Sequence, residues 1–397
     1  MRYSGKRGKI CGMSEIARTT RLKLDLPLAV AEALIQAWTG ACNFTSRLAF
    51  ENGRISNAAR LQTLAYQEVR SQFGLPSQIA VSAIRQVASK YAATRTAKRK
   101  LKSPLRFNRC AVVLQGGPRG RDVAFRQDGI SLSTLEGRIK GVQFHGEPKL
   151  AEYLADWTFG DGRLFVRDGK VLLSVSFKRE VELNGAPVDA VVGVDRGIDV
   201  VAAVTHGRGE KLFGGGAIRH RQRQYTATRG SLQRKLSERK KAHTGTRSVR
   251  RTLKRQSGRE KRFQRNENHR ISRRIIDDAA DTGNSALALE DLSGIREGRR
   301  LRKEQRSALH RWGFYQLEQF LTYKAEGRGL EIVKVEARGT SQGCSRCGHT
   351  EKTNRRGHVF ACRACGHTLH ADVNAAHNVR VRGIVARQVC AAMGLRQ

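Results

Sequence analysis

Val191-Val-Gly-Val-Asp195 is a short apolar run closed by a carboxylate, and it divides the 397-residue chain into two dissimilar halves. Such a run reads as a buried strand whose end presents one charge. Val200-Val-Ala-Ala-Val-Thr205 follows as its hairpin partner, and Lys211-Leu-Phe213 adds a third strand. Ala286-Leu-Ala-Leu-Glu290 repeats the pattern of an apolar strand ending in an acid. A helix around 308–326, a strand at Leu330–Val335 and a last helix from near Asp372 through Val373, Ala376, Val379 and Val381 complete this half. The expected order is strand–strand–strand–helices–strand–helix–strand–helix, an α/β arrangement with a cysteine-bearing insert before the last helix.

Residues 219–274 carry 21 Lys and Arg against 3 Glu, with few turn residues beyond Thr244-Gly245 and Gly258. Two long helices are expected there. So few acids cannot pair that many cations within a helix, so the surface reads as phosphate-facing rather than as an ordinary solvated face. Over the whole chain 75 Lys and Arg oppose 35 Asp and Glu, a formal charge of +40. A compact fold with that excess repels itself, and a polyanion relieves it; nucleic acid is the natural partner, with membrane and ribosome as other acidic surfaces. No stretch approaches 18 uninterrupted apolar residues, and no apolar leader core follows the basic Met1–Arg7 segment, so a cytosolic protein without a membrane span is expected.

Upstream, Thr20–Leu26 alternates polar and apolar residues as a strand does. Pro27 to about Lys100 has helical periodicity broken at Asn52-Gly53 and Gly74-Leu75-Pro76, giving three helices. Residues 103–188 hold short alternating runs at Ala111–Leu114, Ile130–Ser133, Leu164–Val166 and Val171–Phe177. Turn signals at Gly116-Gly-Pro118, Gly160-Asp-Gly162 and Asp168-Gly169 separate them, as in a small antiparallel barrel. The expected domains are a barrel from 1–26 and 103–188, a helical domain at 27–102, an α/β domain from 189–339 and 369–397, and a cysteine module at 340–368.

Of eight cysteines, Cys344, Cys347, Cys362 and Cys365 fall within 22 residues, while Cys11, Cys42, Cys110 and Cys390 are scattered as small buried hydrophobes are. Two C-x-x-C pairs, each followed by glycine (Gly348 and Gly366), supply four thiolates at the spacing of tetrahedral Zn²⁺. Four protein ligands leave no open position, so the metal is structural and supplies folding energy to a ribbon too small for its own core. His349 and His367 stand close enough to substitute, though a full cysteine set makes that unnecessary. Arg346, Arg355, Arg356 and Arg363 suit the ribbon to a nucleic-acid strand.

Phosphodiester hydrolysis by two divalent metals needs hard oxygens converging on one point, with the ions about 3.5–4 Å apart. Mg²⁺ takes few carboxylates plus waters and substrate oxygens. Asp195, Glu290 and Asp372 are the candidates: two strand ends and one helix start, the last within His370-Ala-Asp-Val-Asn-Ala-Ala-His-Asn378. Each alone reads equally as a turn former or a cap. Gly197 would admit a phosphate or metal to the backbone. Asp291 points to the opposite face from Glu290 if both lie on one strand, and Asp199 reads as closing the hairpin.

Gly193-Val-Asp-Arg-Gly-Ile198, Leu289-Glu-Asp-Leu292, Thr340-Ser-Gln-Gly-Cys-Ser-Arg-Cys-Gly348, the second knuckle and Asp372-Val-Asn-Ala-Ala-His-Asn378 resemble the TnpB proteins of bacterial insertion sequences. They look equally like the compact type V CRISPR effectors descended from them, and the small chain leans toward the transposon type. The motifs cover about 190–380; residues 1–188 fit by coarse pattern. The resemblance implies a multidomain α/β chain: an RNase H-like (RuvC) nuclease domain with a zinc-ribbon insert, preceded by a wedge-like β-barrel interrupted by a helical recognition bundle. It implies an RNA-guided DNA endonuclease that binds a guide RNA, reads a short duplex motif and cuts double-stranded target DNA at one site, which then also acts on single-stranded DNA. Carried over by position, Asp195, Glu290 and Asp372 are catalytic acids holding Mg²⁺ (or Mn²⁺), with Glu290 preferred to Asp291, and Cys344, Cys347, Cys362 and Cys365 hold Zn²⁺. One copy per guide RNA is expected, a dimer being the alternative, in a bacterial cytoplasm close to the nucleoid. The rival readings are a DNA-binding regulator that does not cut and a structure-selective nuclease such as a junction resolvase.

Overall fold

The computed structural model describes residues 13–117, 120–183, 187–206, 209–292 and 314–393. Expectations resting on the Met1–Arg7 segment, Cys11, Pro118 and the first part of the 308–326 helix lie outside them. The chain forms two compact units, Glu15–Glu180 and a second that takes in the described residues from Val181 onward together with Met13 and Ser14. No helix among the described residues is long and apolar enough to cross a membrane.

In the first unit, strand β1 (Met13–Leu24) leads into helices α1 (Leu28–Glu51), α2 (Ala58–Phe73) and α3 (Ser77–Thr96). The breaks fall at Asn52-Gly53 and Gly74-Leu75-Pro76 as read: Asn52 follows the last residue of α1 and Gly74 ends α2 in the left-handed conformation, while Asn57, outside that reading, caps α2 through its side chain. Strands β2 (Val112–Leu114), β3 (Val123–Arg126), β4 (Gly129–Thr134), β5 (Gly137–Val142) and β6 (Phe144–His145) follow, then helix α4 (Leu150–Asp156) and the long strands β7 (Thr158–Arg167) and β8 (Lys170–Glu182). They make a five-stranded sheet in the order β2-β7-β8-β1-β6 and a three-stranded sheet β3-β4-β5, where a single barrel was expected. Helices and sheets share one hydrophobic cluster, with Trp38, Tyr91 and Phe177 fully buried, so they fold as one unit.

Asp168 and Gly169 turn β7 into β8, both at positive φ (51° and 70°), as a two-residue hairpin of the right twist requires. Gly160-Asp-Gly162, read as a turn, lies instead inside β7, where the register to β8 shifts between Phe159 and Gly162. The glycines serve a bulge. β3 and β5, short and flanked by glycine, escaped the sequence reading.

The second unit centres on strands β9 (Val191–Asp195), β10 (Val200–Thr205), β11 (Glu210–Gly214), β12 (Ala286–Asp291) and β13 (Glu331–Glu336). Their order is β11-β10-β9-β12-β13, antiparallel across the first three and parallel from β9 to β13. Counted by appearance this is 3-2-1-4-5, the arrangement of an RNase H-like sheet. Between β11 and β12 run the basic helices α5 (Gly216–Lys241) and α6 (Arg247–Asp281). Gly258 does not break α6: the roughly 1 kcal/mol helix cost of a glycine is outweighed by burial of Ile271, Ile275 and Ile276 on the same helix.

Strand alternation decides which helices cover which face. Val192, Val194, Leu287 and Leu289 pack with α6 and with α7 (Phe314–Glu326). Val191, Ala286 and Ala288 face the other way, against Val379 of the last helix, α8 (Ala371–Ala392). That second face is floored by small residues. A side chain at Gly193 would collide with the backbone of Ala376, and one at Gly383 with Ala288, so α8 lies directly on β9 and β12. Gly197 has a different use from the one read in sequence: a Cβ there would meet the carbonyl of Val200, so glycine serves the turn into β10.

Candidate active site and zinc centre

β12 runs parallel to β9 with Ala288 opposite Gly193 and Leu289 opposite Val194. One step further along that register brings Glu290 beside Asp195. Both lie on the face carrying Gly193 and Ala288, the face that α8 covers, and Asp372 sits in the first turn of α8. Three elements thus bring the three carboxylates near enough that Glu290 and Asp372 both act on Asp195, with Glu290 and Asp372 each only 6% exposed. Asp291 is exposed, as strand alternation requires. Asp199 is outside the group; its side chain pairs with Arg219 and its carbonyl accepts from Gly215 N–H at 3.0 Å.

The electrostatics follow from this crowding. Burial first, and then the charges of Glu290 and Asp372, push the Asp195 carboxyl well above the usual range, against the pull of Arg355 and of the Arg196 backbone N–H. Burial also raises Glu290, opposed by the Thr340 hydroxyl, Arg196 and a hydrogen bond with Asp195. Thr340 Oγ1 donates to Glu290 Oε1 at 2.5 Å, and an Arg355 Nη donates to Asp372 Oδ1 at 2.7 Å.

Arg196 follows Asp195 and so points to the opposite face. Its side chain is wholly out of solvent, donating to Glu318 on α7 at 2.8 Å and to the main-chain carbonyl of Glu290 at 2.5 Å. Lys334 of β13 also reaches Glu318, at 2.7 Å. Against burial, which works the other way, these two cations hold Glu318 below the usual glutamate range. Sequence reading missed Arg196, Glu318 and Thr340 as parts of the site, although Arg196 and Thr340 lie inside the quoted motifs. Arg355, read as a nucleic-acid contact, is turned onto Asp372.

The cysteine block folds as a ribbon of β14 (Arg355–Arg356), β15 (Val359–Ala361) and β16 (Thr368–His370) around the fully buried Phe360. In each knuckle the first cysteine's N–H donates 2.9 Å to a carbonyl five residues on, Cys344 to His349 and Cys362 to His367. Gly348 and Gly366 close the turns at φ 76° and 67°. Cys344 and Cys365 sulfurs stand 3.7 Å apart, and Cys347 and Cys362 3.6 Å. That is too long for a disulfide, and close to the edge of about 3.8 Å that a tetrahedron with Zn–S bonds of about 2.3 Å requires. The Cys365 N–H draws the Cys362 thiol down to about 6, burial opposing and the Ala364 N–H assisting. The four sulfurs all lie within 4.8 Å of one another, a set that could hold a metal ion and whose chemistry suits Zn²⁺.

Asparagines of α8 tie the ribbon to the sheet. Asn374 accepts from Ser345 N–H at 3.0 Å and donates to Gly343 O at 2.8 Å, and Asn378 donates to Thr340 O and Gly343 O, both at 2.8 Å. The segment that carries Asp372 therefore also positions the first knuckle and Thr340. On α5 and α6, Arg229, Arg270 and Arg273 pair with Glu260, Glu267 and Asp277, while Arg223, Arg234, Arg250, Arg255, Arg259 and Arg265 are exposed.

Residues 314–379 match the family described as Cas12f1-like, TNB domain, and residues 174–296 the family described as probable transposase. The CRISPR-associated endodeoxyribonuclease Cas12f1 of Sulfoacidibacillus thermotolerans is 34% identical over 224 residues, 55% of this chain and 51% of that protein. A TnpB-like protein of Methanocaldococcus jannaschii is 34% identical over 125 residues, 31% of this chain and 42% of that protein. The chain thus spans about half the length, or less, of these curated relatives. The structure of a Cas12f1-sgRNA-target DNA complex matches in fold with a TM-score of 0.60 at 14% identity, over 89% of this chain and 82% of that one. The two family matches follow one another along the α/β unit and its ribbon, and over that stretch the chain is similar to TnpB proteins and compact type V effectors.

Proposed function

We propose that this protein is an RNA-guided DNA endonuclease whose single nuclease centre is formed by Asp195, Glu290 and Asp372. The observation that carries the reading is the convergence of these acids, from β9, β12 and α8, on one buried face. Three carboxylates crowded out of water repel one another, and that repulsion adds to the effect of burial in raising Asp195. Such a donor set, all hard oxygens and short of positive charge, fits divalent cations such as Mg²⁺ or Mn²⁺. Bound there as a pair, the ions would activate water and stabilise the leaving oxygen of a phosphodiester.

The chain's own groups do the positioning. Thr340 fixes the direction of Glu290, Arg196 anchors the strand that carries it, and Arg355 offsets the charge of Asp372. In this reading the exposed arginines of α5 and α6 hold phosphates of the guide or the heteroduplex, and the zinc ribbon handles the target strand. The first unit supplies the wedge and recognition surfaces. Base pairing would then choose the sequence while the protein grips backbone, and a short duplex motif would license pairing.

Expression together with the native flanking DNA, followed by purification and sequencing of bound RNA, tests guidance. A discrete RNA of uniform length is expected, one that directs Mg²⁺-dependent cutting of a matched duplex. Absence of such RNA, with cutting that follows DNA shape, would favour a structure-selective nuclease; bound RNA without cutting would favour a regulator.

A further inference from the structure

Beside the proposed centre lies a second group of potential ligands: one ligand atom each from His358, His370 and Asp372, all within 4.8 Å of one another. The two imidazoles stack with centroids 5.6 Å apart and planes at 26°. Their backbone is firmly set. Gly357 turns the chain at φ 63°, Ala371 N–H donates to His358 O at 2.8 Å, and Val359 pairs with His370 in the β15–β16 ladder. His370 Nδ1 accepts the Asp372 N–H at 3.3 Å, a long cap that leaves this lone pair aimed at the start of α8. His358 is exposed, so the group is open to solvent on one side.

We propose that His358, His370 and Asp372 form a second metal site, selective for a zinc-class transition ion, and that filling it draws Asp372 out of the nuclease centre. Two nitrogens and one carboxylate suit Zn²⁺, Co²⁺ or Ni²⁺, whereas Mg²⁺ demands oxygen. Asp372 has two carboxylate oxygens, and Arg355 already holds Oδ1. An ion on the imidazoles therefore competes for the oxygen left to the centre. This regulatory half rests on the nuclease reading; the binding half does not.

The test uses the full chain with its ribbon zinc in place, titrated with Zn²⁺ and separately with Co²⁺ by calorimetry and metal analysis. The wild type is expected to take one equivalent beyond the ribbon metal. His358→Ala and His370→Asn should each weaken that equivalent at least about tenfold while keeping the ribbon zinc, and asparagine preserves the acceptor that caps α8. With Co²⁺, the added ion should show weak absorption, distinct from the intense bands of a thiolate site. Uptake of no further equivalent by the wild type, or an unweakened one in both variants, overturns the site. In guided cleavage with Mg²⁺, micromolar Zn²⁺ should slow the wild type about tenfold or more, and each variant much less. Equal slowing overturns the regulatory half. If no condition yields cleavage while the second equivalent is bound and lost in the variants, the metal site stands and the nuclease reading falls.

Discussion

Arg196 and Glu318 form a 2.8 Å ion pair in which the arginine side chain has no exposure and the glutamate 14%. The pair joins the end of β9 to α7, and through Arg196 it also holds the carbonyl of Glu290. The face of the sheet turned toward α7 thereby fixes the strand ends whose other face carries Asp195 and Glu290. Removing one partner leaves a charge buried without its counter-ion. Glu318→Ala is expected to cost about 3–5 kcal/mol, read as a lower urea midpoint, and Glu318→Gln less because its amide oxygen still accepts. A midpoint unchanged by Glu318→Ala contradicts this role.

Stability should also depend on pH through the carboxylate cluster. Asp195 is raised by burial first and then by Glu290 and Asp372, and burial raises Glu290 as well. A carboxyl raised in the folded state keeps its proton to higher pH than in the unfolded chain, so the native protein binds more protons across that interval. Its contribution is full below the ordinary carboxylate range of about 4 and is lost as pH climbs through the raised value. Without added divalent metal, melting temperature should fall as pH rises from about 4 toward neutrality. Asp195→Asn should flatten that fall and raise the neutral melting temperature. A variant with the wild-type pH slope would count against the mutual repulsion.

Arg355 is the counter-ion that the ribbon supplies to Asp372, with side chains 30% and 9% exposed. Arg355→Gln is expected to lower the melting temperature of the metal-free protein by a few degrees, roughly the effect of 1–2 kcal/mol in a domain this size. Millimolar Mg²⁺ or Mn²⁺ should erase most of the difference, since a cation then offsets the same charge. Calorimetric melts with and without metal decide it; a deficit that metal leaves untouched would mean Arg355 acts only in packing.

The ribbon buries little beyond Phe360, Cys344, Cys362 and Ala371, so its fold is expected to depend on a zinc ion held by the four cysteines. Cys344→Ser or Cys362→Ser should release the metal and open the ribbon to trypsin at Arg355, Arg356 and Arg363 while the five-stranded sheet of the second unit stays protected. Zinc release followed with a chromophoric chelator, alongside the proteolysis pattern, checks both halves. Protection of the ribbon after full zinc loss would contradict the dependence.

Much of the second unit was legible because its strands announce themselves. Val191–Asp195, Val200–Thr205 and Ala286–Glu290 are apolar runs that a buried parallel or central strand requires. Even the face was written there: Gly193, Ala286 and Ala288 are small because α8 lies on them. Other features were fixed only by contacts distant in sequence. Arg355 meets Asp372, Thr340 meets Glu290 and Arg196 meets Glu318. No local pattern separates such residues from solvated neighbours. Glycine misled in two ways, since at Gly160 and Gly162 it marks a bulge and at Gly258 it rides inside a helix held by packing.

The most direct test of the central claim is cleavage of a matched duplex by the purified protein with its guide RNA and Mg²⁺, comparing wild type with Asp195→Ala, Glu290→Gln and Asp372→Asn. Each variant should retain guide RNA and target binding and lose cutting by at least about a hundredfold, on both strands alike because one centre serves both. Wild-type cutting in any of the three folded variants would contradict the assignment of that acid, and wild-type cutting in all three would place the chemistry elsewhere.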